Sequence, residues 1–468
     1  MYSFLISLVV LVVGYMVYGL VVEKVFGIDR ERVTPAIRLN DGVDFVPMSW
    51  PRIFLIQLLN IAGLGPIFGA IMGALFGPAA FLWIVLGGIF AGAVHDYLSG
   101  MISLRHDGKS VTEITGIYLG ENIKKLMIIF SVVLLILVGT VFISGPAGLL
   151  ANLGMTGIFA NKIFWVVVIV VYYFLATMLP IDKIIGKIYP IFGIALSVMA
   201  LGIAGVMIFK GAAIPEITLS NLHPKGLPIW PMLFITIACG AISGFHATQS
   251  PLMARCIKSE HYGRHVFYGA MIAESVIALI WAAAAITFFN GVEGLGAALA
   301  KGGPAFVVNE ISMNMLGTVG GILALLGVVA CPITSGDTAF RSARLVIADA
   351  FKIDQKTIKP RLMLSFPLLV IGYLLTLIDF AIIWRYFAWA NQTLAMVMLW
   401  AGAVYLVRNK RFHWLASIPA TFMTAVVTTY ILQAPEGFKL GTSISYPVGI
   451  VVACITFAIF AFKCLRNK

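Results

Sequence analysis

Residues 239–251 read C-G-A-I-S-G-F-H-A-T-Q-S-P and begin about ten residues into an apolar run that opens at Ile229. Two glycines, two serines, a histidine, a glutamine and a proline are poor material for a spanning helix. At mid-membrane depth there is no water for freed backbone N–H and C=O groups, so broken helix survives only inside protein or beside a wet cavity. In transporters such interruptions build the binding site, because half-helix ends offer backbone groups to substrate and ions. Two further interruptions are predicted, at Asn60-Ile61-Ala62-Gly63-Leu64-Gly65-Pro66 and at Cys331-Pro332-Ile333-Thr334-Ser335-Gly336-Asp337-Thr338. The three segments are expected to meet.

The membrane setting follows from composition. The 468 residues are 60% apolar and 11% charged, with a mean hydropathy of +1.00; soluble domains run at roughly 45–50% and 25%. A β-barrel would alternate in short units, whereas here the apolar runs are long enough to cross as helices. Thirteen are predicted, near 2–22, 52–75, 79–104, 124–150, 162–179, 187–209, 229–251, 266–290, 315–340, 361–378, 380–407, 412–432 and 445–463. The first lacks a basic leader and is expected to be a retained span. Five cysteines without a CxxC pair point to neither a disulfide framework nor a zinc site.

Charge sets the orientation. Of the 32 lysines and arginines, 26 fall in alternate connections, at 23–52, 104–125, 180–187, 252–265, 341–361, 408–411 and the C-terminal tail. By the positive-inside rule these are cytoplasmic, with the N-terminus outside and the C-terminus inside. The net charge of +12 is then loop asymmetry and calls for no nucleic acid.

Spans two and seven both carry a glycine–proline break, and an offset of five spans reverses their direction. Such a pattern predicts two inverted five-helix repeats with discontinuous helices in matching places. The chain divides accordingly into 1–51 (first helix and connection), 52–210 (first repeat), 211–407 (second repeat) and 408–468 (two peripheral helices).

The strings I-S-G-F-H-A-T-Q-S-P-L-M-A-R-C (242–256), P-I-T-S-G-D-T-A-F-R-S-A-R (332–344), D-G-V-D-F-V-P (41–47) and W-R-Y-F-A-W-A-N-Q-T-L-A (384–395) resemble the carbon starvation protein A family over most of the chain. That resemblance implies a bacterial inner-membrane secondary transporter for short peptides or for pyruvate with protons. It also implies a leucine-transporter-like 5+5 core.

Candidate substrate-binding residues are Asn60, Gly63, Gly65, Pro66, Gly240, Ser243, Gly244, His246 and Gln249. Half-helix N-termini there would favour a carboxylate. His246 and Glu274 are the candidate proton carriers, because an ionisable group inside a span is costly and functional by default. By analogy with the leucine-transporter core, Gly63, Thr334 and Ser335 form a candidate Na⁺ site, the only ligand beyond substrate that the sequence suggests; their oxygens suit a hard cation. His95-Asp96 at the inner end of span three, and Asp379 with Arg385 outside, read as gate candidates. Asp337 and Arg341 read as an i,i+4 ion pair, and Asn391-Gln392 as helix–helix hydrogen bonding. No P-loop marks an ATP-driven pump. A channel would need a continuous polar pore and a starvation sensor an output domain, and neither is legible.

Single cysteines placed at 41–47 and 352–359 should react with impermeant reagent only from the cytoplasm, and those at 293–303 only from outside. Periplasmic labelling of 41–47 would contradict this orientation.

Overall fold

The computed structural model describes residues 1–465 except 43, 154–155, 179–181, 354 and 356, and only the backbone of 178 and 182–190. The side chains of the predicted basic connection 180–187, parts of 41–47 and 352–359, and the tail beyond 465 therefore lie outside what is described. The rest is helical, with one isolated bridge between Met48 and Ile257 and no strand among the described residues.

Besides the short connecting helices Pro35–Arg38 and Val111–Leu119, the helices in chain order are α1 (Tyr2–Phe26), α2 (Trp50–Ile61), α3 (Gly65–Phe76), α4 (Ala79–Arg105), α5 (Glu121–Ala151), α6 (Lys162–Met178), α7 (Asp182–Phe209), α8 (Ile229–Thr236), α9 (Gly244–Ala254), α10 (Glu260–Phe288), α11 (Val292–Ala324), α12 (Cys331–Phe351), α13 (Ile358–Leu375), α14 (Phe380–Arg408), α15 (Trp414–Gln433) and α16 (Thr442–Leu465). Each of the thirteen predicted runs carries helix. Ten described helices are long and apolar enough to cross a membrane, and the α2–α3 pair, bent by 49°, makes eleven. The two other runs hold α6, of 17 residues, and the α8–α9 pair, of 8 and 11.

Two of the three predicted interruptions take a different form. In span seven only residues 237–243 are unwound. His246, Gln249 and Pro251 belong to α9, which begins at Gly244. The third, Cys331 to Thr338, is not interrupted at all: a π-helical stretch, Leu325–Ala330, runs directly into α12. Proline removes one backbone donor and crowds the carbonyl four residues back. Pro332 sits in the first turn of α12 and faces the wider π turn, which takes up that misfit without breaking the chain. Span two breaks where predicted, at Ala62–Leu64.

The loops sort into the two groups that the charge count separates. On the basic side Arg105 pairs with Glu260 at 2.8 Å, Arg38 with Asp107, and the Met48 amide donates to the Cys256 carbonyl. On the other side the N-terminal ammonium meets Glu216 at 2.7 Å and Asn309 reaches the Asn152 carbonyl. The ammonium first, then the Ser3 hydroxyl and amide, hold the Glu216 carboxyl down at about 2. A carboxyl lowered in the folded state contributes above its ordinary value and is lost only as pH falls through the folded one. Acid therefore releases the carboxylate arm of the clasp only as pH falls toward that value.

Among the long spans α4 and α14 are the most enclosed, while α1, α13 and α16 turn mostly aliphatic faces outward. Glycines let the centre close. A Cβ on Gly65 would lie 2.3 Å from Cys239 Sγ, and one on Gly92 would lie 2.2 Å from the Ala241 carbonyl oxygen. The first obstacle is a side chain; the second is backbone and cannot step aside. Gly92→Ala should therefore destabilise the protein by about 1–3 kcal/mol. Gly205→Ala, whose nearest atom is 4.0 Å away, should leave thermal unfolding in detergent nearly unchanged. Equal melting of the two variants would contradict the packing described.

Candidate functional site

The unwound stretch 237–243 leaves the last carbonyls of α8 without helical partners. Side chains from two other helices take them. The Trp83 indole N–H donates to the Phe234 and Ile237 carbonyls at 3.2 and 3.0 Å, the Gln392 amide to Phe234 at 2.6 Å, and the Trp384 indole to Thr236 at 3.4 Å. At the other end, Asn391 Oδ1 accepts from the Phe245 amide at 2.6 Å and from the Ser243 hydroxyl at 3.1 Å. Asn391 thus does from α14 what an N-cap side chain does from within a helix. Asn391-Gln392 is accordingly a pair of clamps on a broken helix.

The α9 helix enters this knot in its first turn with His246, and two other helices supply its neighbours. Nδ1 of His246 lies 2.8 Å from Asp96 Oδ2 on α4; Nε2 lies 3.3 Å from Glu274 Oε2 on α10. Asp96 also takes His95 Nδ1 at 2.8 Å through its other oxygen. His95, Asp96, His246 and Glu274 are fully buried. A carboxylate only accepts, so Nδ1 of His246 is its donor and Nε2 is turned toward Glu274. Neither Nε2 nor either Glu274 oxygen makes an aligned hydrogen bond. Cys239 stands beside them: its sulfur, a His246 nitrogen and a Glu274 oxygen all lie within 4.8 Å of one another.

The other predicted residues fall around this centre. Gly63 lies in the span-two break, facing the Phe142 ring; Gly65 and Pro66 open α3, with Gly65 against Cys239. Asn60 lies in the last turn of α2, half-buried. Gly240 faces Ala278, and Gly244 lies so close to Asn391 that a Cβ would be 2.3 Å from its carbonyl oxygen. Gln249 is buried on α9 and donates to Thr248. Thr334 and Ser335 donate their hydroxyls to the Cys331 carbonyl at 2.7 and 3.2 Å, and the Cys331 thiol lies 4.0 Å from the Leu59 carbonyl of α2.

Two gate readings are corrected. Asp96 is no inner-end residue; it is nine positions from the end of α4, roughly 13 Å along it, and is held at the centre by His246. Arg385 pairs with Glu436 at 2.8 Å, while Asp379 caps α14 through the Ala381 amide. Asp337 and Arg341 do pair, at 3.1 Å. The sequence reading missed Asp96 as the partner of His246 and Cys239 as their neighbour. The adjacent His-Asp inside an apolar span was the available signal, but its partner is 150 residues away.

A cavity of about 290 Å³ lies on the side away from the basic loops, lined among others by Phe68, Ser144, Asn152, Lys162, Pro304 and Phe380. Phe68 is three residues beyond Gly65, so this lining residue is one helical turn from the glycine that packs against Cys239.

The chain matches the family described as Carbon starvation protein CstA over residues 1–152, 147–293 and 291–430. An uncharacterized membrane protein of Haemophilus influenzae is 44% identical over 349 residues, 64% of this chain and 94% of that protein. The peptide transporter CstA of Escherichia coli is 25% identical over 90% of this chain and 79% of its own length. The pyruvate/proton symporter BtsT of Escherichia coli is 29% identical over 58% of this chain, which spans 47% of BtsT. Among solved structures, MhsT in complex with L-phenylalanine superimposes with a TM-score of 0.54 at 14% identity, covering 87% of this chain and 97% of MhsT. Mhp1 in a closed conformation gives 0.52 at 15%, over 90% and 96%. These likenesses fix the fold as the leucine-transporter type. Taken together, the matches place the chain in the carbon starvation protein CstA family, as a membrane transporter and not an enzyme.

Proposed function

We propose that the chain is a bacterial inner-membrane secondary transporter that takes up pyruvate-like small carboxylates or short peptides with protons by alternating access. Uptake of such carbon sources suits a role in carbon starvation. One observation carries the reading: a buried histidine, held between two carboxylates, sits where the two broken spans cross. With Asp96 ionised, His246 doubly protonated and Glu274 protonated, the cluster is neutral. Removing one proton leaves a net negative charge in a water-excluded core, which is costly. The proton and the substrate therefore move together. The relatives' peptide and pyruvate/proton activities fit this chemistry.

Substrate is held at the crossing by Asn60, Gly63, Gly65, Pro66, Gly240, Ser243, Gly244, His246 and Gln249. It enters through the outer cavity, whose volume is at the low end for small-ligand sites and whose lining includes the Lys162 cation. That favours a small carboxylate or a dipeptide over longer peptides. Repeats 52–210 and 211–407 rock against each other around the crossing. The Cys331–Leu59 contact favours a second reading, in which Na⁺ at Gly63, Thr334 and Ser335 ties α12 to the span-two break.

Proteoliposomes given labelled pyruvate or dialanine from outside, with pH and Na⁺ gradients imposed separately, test both readings. An acid exterior should drive accumulation. His246→Gln and Glu274→Gln should each lower gradient-driven accumulation at least tenfold, about 1.4 kcal/mol, while counterflow exchange persists. Accumulation unchanged in both variants would remove them from coupling. A Na⁺-driven uptake lost in the Thr334→Ala, Ser335→Ala double variant would establish the second reading; full activity of that variant without any Na⁺ response would end it.

A further inference from the structure

We propose that Cys239, His246 and Glu274 form a binding site for a divalent metal ion of the zinc class. The inference goes beyond the transport reading and does not depend on it. Three elements bring the ligand atoms together: the unwound segment carries Cys239, α9 carries His246 and α10 carries Glu274. All three residues are buried, and their ligating atoms lie within 4.8 Å of one another.

The second observation concerns what is unpaired. The freed carbonyls of α8 and the first amides of α9 find side-chain partners, as described above. Yet His246 Nε2 and the Glu274 carboxylate make no aligned hydrogen bond and face only each other, as an ion pair. Their separation of 3.3 Å is that of two ligands on one ion: zinc–nitrogen and zinc–oxygen bonds of about 2.0–2.2 Å at a tetrahedral angle place the two ligands about 3.4 Å apart. A zinc–sulfur bond of about 2.3 Å asks only for a side-chain adjustment of Cys239.

The surroundings match as well. His246 turns its other nitrogen to Asp96 at 2.8 Å, the carboxylate–histidine arrangement that fixes the tautomer and presents the free lone pair to a metal. A thiolate and a carboxylate neutralise a divalent ion, so the loaded centre carries no net charge beyond that of Asp96. Sulfur, imidazole and carboxylate together are a borderline set that suits zinc-class ions and is wrong for Mg²⁺ or Ca²⁺, which take oxygen. With three protein ligands a fourth position stays open. Metal and proton use the same lone pairs, so Zn²⁺ should exclude the protonated form.

Metal-stripped protein in detergent, titrated with Co²⁺, tests this directly. Expected is saturation at a single equivalent with the strong near-ultraviolet absorption of a thiolate–cobalt bond, abolished by Zn²⁺. Cys239→Ser should lose that absorption, and a variant with Cys256, Cys331, Cys454 and Cys464 all replaced by Ser should keep it. Asp96→Asn should weaken binding about 10–100-fold. Thermal unfolding of each metal-free variant shows whether it is folded. Absence of saturable Co²⁺ binding in the folded wild type, or a thiolate band that survives Cys239→Ser, would overturn the site. Neither result bears on proton-driven uptake, which is measured without metal.

Discussion

The structure depends on one constraint: backbone at the centre of a membrane must find partners inside the protein. Span seven violates the simplest solution by unwinding over seven residues, and the cost of an unpaired buried polar group is about 1–3 kcal/mol each. Trp83, Gln392 and Trp384 answer on one side and Asn391 on the other. These side chains come from α4 and α14, which are also the most enclosed of the long spans. The broken span is thus held open by its neighbours, which makes its geometry a property of the whole bundle.

Glycine governs how closely those neighbours approach. Gly65 admits the Cys239 thiol and Gly92 admits the Ala241 carbonyl, so spans two, three and seven share one small volume. Into it α4, α9 and α10 each direct one ionisable group. A histidine there links two carboxylates on different helices, and any relative motion of those helices alters the distances on which its charge depends. Under the proposed transport reading, protonation and conformation are coupled for that reason, and each biases the other.

Much of this was legible in the sequence. Gly63-Leu64-Gly65-Pro66 marked the span-two break because glycine and proline punctuate helices locally. The division of the loops into two groups was written in lysine and arginine. Three things were not legible. His246 and Gln249 were read as part of the break, although helix resumes at Gly244; where unwinding stops depends on Asn391 reaching across from another helix, which no local pattern records. The Cys331–Thr338 segment has the same composition as a break, yet a π turn before Pro332 keeps it helical. Asp96 was assigned to the inner end of its span because its role rests on a contact across 150 positions.

The central claim is that His246, Asp96 and Glu274 take up a proton when substrate occupies the crossing. Pyruvate or dialanine added to detergent-purified protein in weak buffer, with a pH-sensitive dye, measures that proton directly. Wild-type protein should bind protons in proportion to bound substrate, and Glu274→Gln should bind substrate with little or no proton uptake. Equal proton uptake by both proteins would contradict the account.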